Sequence, residues 1–242
     1  MSTEVVVIRV RGLAVQIVRK DIKNLHLGVY PPNGRVRVAA PLAVSDEAVR
    51  LAVISRLGWI KRQRARFVAQ HRQSAREMVS GESHYFLGRR YRLCVVQSDG
   101  PSRVMVRKGA TLELCVRSGA DAKAREKVLQ RWYRERLRDL VPPLLAKWEV
   151  ILGVNASSWG IKKMKTKWGS CSLGARRIWL NLELAKKPVQ CLEYMIVHEL
   201  THLIEPHHND RFVSLMDRYL PQWRHHRKHL NEAPLGHADW AY

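Results

Sequence analysis

The sequence predicts an α+β fold, in which a β-rich N-terminal region (residues 1–120) precedes a region of helices and strands (residues 121–242). Two patterns support this division. Residues 4–38 and 83–117 contain short alternating runs of apolar and polar residues separated by Gly, Pro and Asn, which is typical of strands and turns. From about residue 121 onward, apolar residues also recur at intervals of three and four, which is typical of helices that pack on a core.

The N-terminal region is predicted to contain a hairpin and one long helix. An Asn-Gly pair at positions 33 and 34 separates two alternating segments, 25–30 and 35–38, and both residue types tolerate the positive φ of a tight turn. Ser45 can cap a helix whose first turn is acidic. We predict that this helix covers about residues 46–80 and carries a strongly basic face in its later half.

The C-terminal region is predicted to combine helices with two strands. Pro142 and Pro143 lack the amide N–H that a helix interior needs, so the first helix should be kinked or interrupted there. Pro188 is well placed at a helix start, where the missing N–H has no effect. The predicted elements are a helix from about 121 to 152, strands at 159–164 and 178–184, a loop at 168–171, and helices at 188–204, from 210 and from 221.

The charge of the chain is its most unusual bulk property. Lys and Arg number 43 against 21 Asp and Glu, which gives a net charge of +22. A field of this size attracts polyanions such as nucleic acid or nucleotides, although basic proteins without such partners are also common. The net charge therefore does not decide whether the protein binds a polyanion, and it carries no information about the fold.

The chain shows no pattern of a membrane or secreted protein. No apolar run approaches the roughly 18 residues that a membrane span needs, and basic residues interrupt the first 30 residues. The cysteines have no CxxC spacing, which argues against a cysteine zinc site and a disulfide framework. We therefore expect a reduced, cytoplasmic protein with no membrane partner. The four cysteines are Cys94, Cys115, Cys171 and Cys191.

The segment His-Glu-Leu-Thr-His at residues 198–202 carries the clearest chemistry. Residues four apart on a helix project from nearly the same side, so His198 and His202 can offer two imidazole nitrogens to one metal ion. Glu199 lies on the flank, where its carboxylate can reach a water bound to that metal. Because the pentapeptide also arises by chance, the pattern alone leaves ordinary core or surface histidines as an alternative.

The residues after the pentapeptide favour the metal site. A catalytic zinc site uses three protein ligands and leaves the fourth position to water. Pro206 ends the helix, and His207 and His208 follow before a new helix opens at residues 209–210, so the turn brings a third imidazole back. Either histidine could be that ligand. The histidines of the run 225–229 lie among basic residues, where a solvated face is expected.

Several stretches together resemble the YgjP-like metallopeptidase family, a family of metal-dependent hydrolases. The resemblance extends over nearly the whole chain, and its C-terminal motifs are specific. It implies a zincin-like, minimal gluzincin-type catalytic domain, related to the SprT-type and WLM zinc proteases that act at DNA–protein crosslinks. The stretches are Trp59–Ile60, Gly81–Glu82, Leu87–Tyr91, Lys165–Ser172, Ile178–Asn181, Val197–Leu203 and Pro206–Phe212.

The resemblance also implies roles for individual residues. It makes His198, His202 and His208 the ligands of one zinc ion and Glu199 the general base. His207 stands where the family usually has Asn, so it remains the alternative third ligand. Three neutral imidazoles also accept other divalent metals.

Residues before the metal motif are candidates for substrate binding or support. The strand 177–182 could hold an extended peptide by β-augmentation, or it could be an ordinary core strand. Asn181 could orient the substrate or simply close the strand end. No general base is placed by sequence to activate Ser170 or the neighbouring cysteine, so we expect Trp168 and Gly169 to form a tight loop beneath the site.

Three functions are consistent with these residues. A zinc peptidase acting on a peptide or protein is favoured by the motif and the resemblance. A metal-dependent nucleoside triphosphate pyrophosphatase would use the lysines near the loop, including Lys167, to bind polyphosphate. A nucleic-acid-associated protease would use the basic surface for docking. A non-enzymatic nucleic-acid module leaves Glu199 between two histidines without an explanation.

Overall fold

The computed structural model describes residues 5–30, 34–69, 77–164 and 167–232. The chain forms two compact units, one within residues 1–74 and the other within residues 75–235. The boundary predicted near residue 120 therefore falls inside the second unit, because strands before this point and helices after it share one apolar core. Within the described ranges, no helix has the length and apolar character required to cross a membrane.

The first unit is a four-stranded sheet covered by two helices. Strands β1 (Val5–Val10), β2 (Leu13–Lys20), β3 (His26–Tyr30) and β4 (Arg35–Pro41) lie in the order β1-β2-β4-β3. The predicted hairpin is confirmed in its pairing, since β3 and β4 are antiparallel and Tyr30 faces Arg35. Residues 31–33 of its turn lie outside the described part of the chain.

The single helix predicted over residues 46–80 is wrong, because the structure has two helices there. Helix α1 (Asp46–Ser55) is capped by Ser45 as expected and ends at Arg56, whose backbone leaves the helical conformation. Helix α2 (Leu57–Ala69) follows directly. The two helices pack on different strands, α1 on β1 and α2 on β3, and a straight helix would not place apolar residues on both.

A second four-stranded sheet repeats the topology of the first. Strands β5 (Ser83–Phe86), β6 (Arg89–Gln97), β7 (Arg103–Arg107) and β8 (Thr111–Val116) lie in the order β5-β6-β8-β7. In both sheets the two middle strands are parallel and the outer pairs antiparallel. The sequence shows no internal repeat, so the two sheets share their topology without recognisable sequence similarity.

Helix α3 (Ala122–Leu152) is continuous, although Pro142 and Pro143 were predicted to kink or interrupt it. Both prolines are exposed, whereas Val141 and Leu145 beside them are buried. The apolar face thus continues past the prolines at helical spacing, and its burial outweighs the lost backbone hydrogen bonds.

The remaining elements surround the predicted metal motif. Strands β9 (Ser158–Lys162), β10 (Gly169–Ser172) and β11 (Arg177–Asn181) form a sheet in the order β10-β11-β9, followed by a 3₁₀ helix (Leu182–Lys186). Three helices complete the unit: α4 (Val189–Thr201), α5 (Asp210–Tyr219) and α6 (Trp223–Glu232).

Two predictions about this sheet need correction. The segment predicted as a loop at 168–171 is mostly strand β10, because its backbone pairs with β11 from Gly169 to Ser172. The strand around 177–182 is the middle strand and has a neighbour on both sides, so it offers no free edge to a peptide. Its apolar residues face the core, as the alternative prediction required, and β10 is one of the two edge strands of this sheet.

Candidate metal centre

Helix α4 places the first two histidines of the cluster. The buried residues around its axis, including Leu192 and Ile196, fix the helix against the core. His198 lies in the last turn, and His202 caps the helix at its C-terminal end. The imidazole centroids are 4.9 Å apart, so the helical spacing brings the two rings together as predicted.

The turn after α4 brings back His208 and not His207. The Nε2 atom of His208 lies 3.1 Å from the Nε2 atom of His198. One ring nitrogen from each of His198, His202 and His208 can be chosen so that all three lie within 4.8 Å of one another. His207 is exposed, and its backbone N–H donates to the Glu205 carboxylate.

Local contacts fix the three imidazoles. His202 Nδ1 donates to the backbone carbonyl of Glu205 at 3.2 Å, which leaves Nε2 as its free nitrogen. Phe212, which is buried at the start of α5, packs on all three rings at centroid distances of 4.8 to 5.0 Å. Burial lowers the pKa of His198 to about 3, so its ring is neutral at neutral pH and can donate its lone pair to a metal.

Glu199 lies in the same cleft as the histidines and is only 3% exposed. Burial raises the pKa of Glu199 to about 8, and the charge of Lys167 acts in the opposite direction. A cation bound by the histidines would favour the carboxylate form further. A buried carboxyl group whose pKa lies near neutrality has the properties expected of a general base.

Strand β10 approaches the carboxyl group of Glu199 closely. A Cβ atom at Gly169 would lie 2.4 Å from Glu199 Oε1 and 2.9 Å from Met195 Cε. Only a residue without a side chain lets the strand reach the carboxylate without displacing it. Gly169, predicted from the sequence as a possible supporting residue, thus leaves room for the Glu199 carboxyl group beside β10.

We expect Gly169→Ala to lower kcat/KM by about 10- to 100-fold, because a displaced general base loses part of a contribution of about 10²–10⁴. Metal content should be unchanged, since the three atoms nearest to this Cβ belong to Glu199 and Met195 and not to the histidines. Gly174→Ala in the turn after β10 is the matched control, as a Cβ there meets nothing within 4 Å. Equal activity of both variants would show that the close approach has no functional effect.

The other predicted residues of the segment also line the cleft. Trp168 is 8% exposed, and Ser170 is half-buried. Burial and the nearby Glu199 raise the pKa of the Cys171 thiol to about 11. The thiol is therefore protonated at neutral pH, which argues against a nucleophilic role.

Asn181 does not face the cleft as a free side chain. Its Nδ2 atom donates to the carbonyls of Met164 and Lys167 at 2.8 and 2.7 Å, and its Oδ1 atom accepts from the backbone N–H groups of Met164 and Glu183. The buried amide thus joins the end of β11 to the chain that carries Lys167. Of the two sequence interpretations, this geometry favours the hydrogen bond at the strand end.

We expect Asn181→Ala to lower the free energy of unfolding by about 2–4 kcal/mol, because four partly buried hydrogen bonds to backbone groups are lost. Chemical denaturation of both proteins measures the difference. Asn155→Ala, at an exposed Asn, should change stability by less than about 0.5 kcal/mol. A loss no larger at position 181 than at 155 would contradict this role.

Sequence reasoning missed the contribution of α6 to the cleft. The run 225–229 was expected to be a solvated face, yet Arg227 from this run lines the cleft together with Tyr194 and Leu230. Burial raises the pKa of Tyr194 to about 12, so its hydroxyl stays protonated. Arg227 is exposed, as predicted, and only the fold shows that its exposed side chain borders the histidines.

Comparison with known proteins identifies the family. Residues 23–233 match the YgjP-like, metallopeptidase domain family. The chain belongs to the YgjP-like metallopeptidase family. The resemblance inferred from the motifs is thereby confirmed, and the YgjP-like protein is a metal-dependent hydrolase of the peptidase class.

No curated protein matches the YgjP-like chain significantly. Among solved structures, the chain is similar to the metallopeptidase zymogen of Pyrococcus abyssi abylysin, with 20% sequence identity and a TM-score of 0.34. That similarity covers 36% of this chain and 89% of the abylysin chain.

Proposed function

We propose that the YgjP-like protein is a zinc peptidase whose metal ion is held by His198, His202 and His208, with Glu199 as the general base. The observation that carries this proposal is the convergence of three imidazoles beside one buried carboxyl group in a single cleft. We also propose that the surrounding elements form a zincin-like catalytic domain, because the sequence resemblance implies that fold.

The donor set fits a zinc ion. Zn–N bonds of about 2.0–2.1 Å at tetrahedral angles separate two ligand nitrogens by roughly 3.3 Å. The Nε2 atoms of His198 and His208 are 3.1 Å apart, and the whole set lies within 4.8 Å. Three neutral imidazoles are a known donor set of catalytic zinc sites, although manganese, cobalt and nickel accept the same atoms.

When bound, zinc supplies a Lewis acid and lowers the pKa of a water to about 7. Glu199 accepts a proton from the attacking water and then delivers it to the leaving amine. The apolar surroundings of Glu199 favour this exchange, because they keep its pKa close to neutrality. Phe212 keeps the three imidazoles in position during the reaction.

The peptide substrate is proposed to lie along β10. This strand is at the edge of its sheet, and Ser170 and Cys171 within it line the cleft beside Glu199. An extended peptide that adds to a sheet edge gains backbone hydrogen bonds independent of its side chains. The sequence led us to expect β-augmentation at the strand 177–182. We now propose it at β10, the neighbouring strand.

The nucleotide hydrolase remains an alternative with less support. It relied on the lysines near the β10 segment, but Lys162 lies over the Trp179 ring and Lys163 pairs with Glu126. Of the described lysines in this stretch, Lys167 lines the cleft. Three or more converging cations would suit a polyphosphate better.

A substrate panel tests the proposed function. The zinc-loaded protein is incubated with casein, a peptide library and the nucleoside triphosphates, with Glu199→Gln as the background. We expect peptide bonds to be cut by the unchanged protein and not by the variant. Release of phosphate or pyrophosphate without any peptide cleavage would overturn the peptidase in favour of the nucleotide hydrolase.

A further inference from the structure

A second cleft lies in the first unit, among residues that the metal centre does not use. It has a volume of about 360 Å³ and lies between the turn joining β1 to β2 and the first two turns of α2. Its floor includes Leu13 and Ile60, and its polar lining consists of the side chains of Arg11, Lys61 and Arg64. Among the residues that the structure describes, none of the cleft lining is acidic.

The three cations of this cleft have no carboxylate partner within the described residues. Among the described residues of the unit, ion pairs are formed instead by Arg19 with Asp46 and by Arg50 with Glu47. Residues 1–74 contain 14 Lys and Arg against 4 Asp and Glu. Like charges that converge without a counter-ion repel one another, so their grouping indicates an anionic ligand and not a contribution to stability.

Local structure constrains the side-chain stem of Arg64 and the backbone of Arg11. The stem of Arg64 packs on the backbone at Gly34, where a Cβ atom would lie 2.6 Å from Arg64 Cγ. Arg11 has a φ of 47°, a left-handed conformation that is unfavourable for a residue with a Cβ atom. Gly would relieve this strain, yet the position holds an Arg that lines the cleft.

We propose that this cleft binds phosphates of a nucleic-acid backbone. Guanidinium groups bind phosphate through two parallel hydrogen bonds, and three cations in one cleft can engage adjacent phosphates of one strand. Trp59 on the same helix is 36% exposed but is not part of the cleft lining, so the proposed contacts are to phosphates and not to bases. The inference does not rest on the proposed zinc chemistry.

The exposed side of α2 distinguishes nucleic acid from a lipid surface. Ile60 is fully buried in the core of the unit, whereas Lys61, Arg62 and Arg64 are exposed. A helix that lies on a bilayer needs a broad apolar face to enter the headgroup region. The described outer face of α2 is cationic with a single aromatic residue, so it suits a charged polymer in water.

Fluorescence anisotropy with a labelled 20-nucleotide single strand tests the proposal on the full chain between 50 and 200 mM salt. We expect Arg11→Gln/Lys61→Gln/Arg64→Gln to weaken binding by about 10- to 100-fold at the lower salt. The slope of log K against log salt should fall by about 2, since each lost phosphate contact removes about 0.7. Peptide hydrolysis by this variant should be unchanged.

The matched control is Lys20→Gln/Lys23→Gln/Arg50→Gln, which removes the same charge from exposed positions of the same unit. We expect it to weaken binding less than about 3-fold, and thermal unfolding checks that both variants fold. If both variants weaken binding equally, the nucleic acid is bound by non-specific attraction to the basic unit and not by this cleft, and the proposal is overturned. Binding to vesicles with anionic headgroups but not to nucleic acid, or binding to neither, would also overturn it.

Discussion

Replacing the proposed general base should abolish hydrolysis and leave the metal in place. In Glu199→Gln the amide keeps the size of the side chain but cannot accept the proton of the attacking water. We expect kcat/KM to fall on the order of 10²–10⁴-fold, the usual contribution of general base catalysis. Metal analysis of the same preparation should give the content of the unchanged protein.

Glu193→Gln provides the control on the same helix. Glu193 pairs with Lys147 and accepts from Trp148 Nε1, and it does not line the cleft. We expect its activity to stay within about 3-fold of the unchanged protein. If Glu199→Gln retains full activity with metal bound, Glu199 is not the general base.

The second large effect is expected at the third ligand. His208→Ala should lower metal affinity by more than about 100-fold, because losing even an outer-shell partner of a ligand reduces affinity by about 10- to 100-fold. His207→Ala removes the adjacent exposed imidazole and should leave affinity and activity nearly unchanged. Metal titration of both proteins, monitored by calorimetry, measures the difference.

This pair of variants decides an ambiguity that the sequence left open. If His207→Ala loses the metal and His208→Ala retains it fully, the third ligand is His207 and not His208. It would then require a turn different from the one in which His208 Nε2 faces His198 Nε2.

The metal motif could be predicted because its chemistry depends on local geometry. Helical spacing alone places His198 beside His202, and a turn of a few residues limits where the next imidazole can lie. The strands of both four-stranded sheets were also predictable from alternation. The chain order of these strands within each sheet, which depends on distant pairing, was not.

Features that depend on tertiary contacts could not be derived from the sequence. The role of Gly169 depends on the approach of β10 to Glu199, two elements about 30 residues apart. Arg227 lines the cleft because α6 packs on α4, and nothing in its basic surroundings indicates this. Helix α3 continues through its prolines because packing outweighs local propensity.

Removing and restoring the metal tests the central claim most directly. The purified protein is depleted with a chelator and titrated with zinc, and bound metal and peptide cleavage are measured in the same samples. We expect cleavage to disappear on depletion and to return in proportion to zinc, up to one ion per chain. Cleavage that persists without metal, or zinc binding that is unchanged in His198→Ala/His202→Ala, would contradict a peptidase that acts through the three-histidine site.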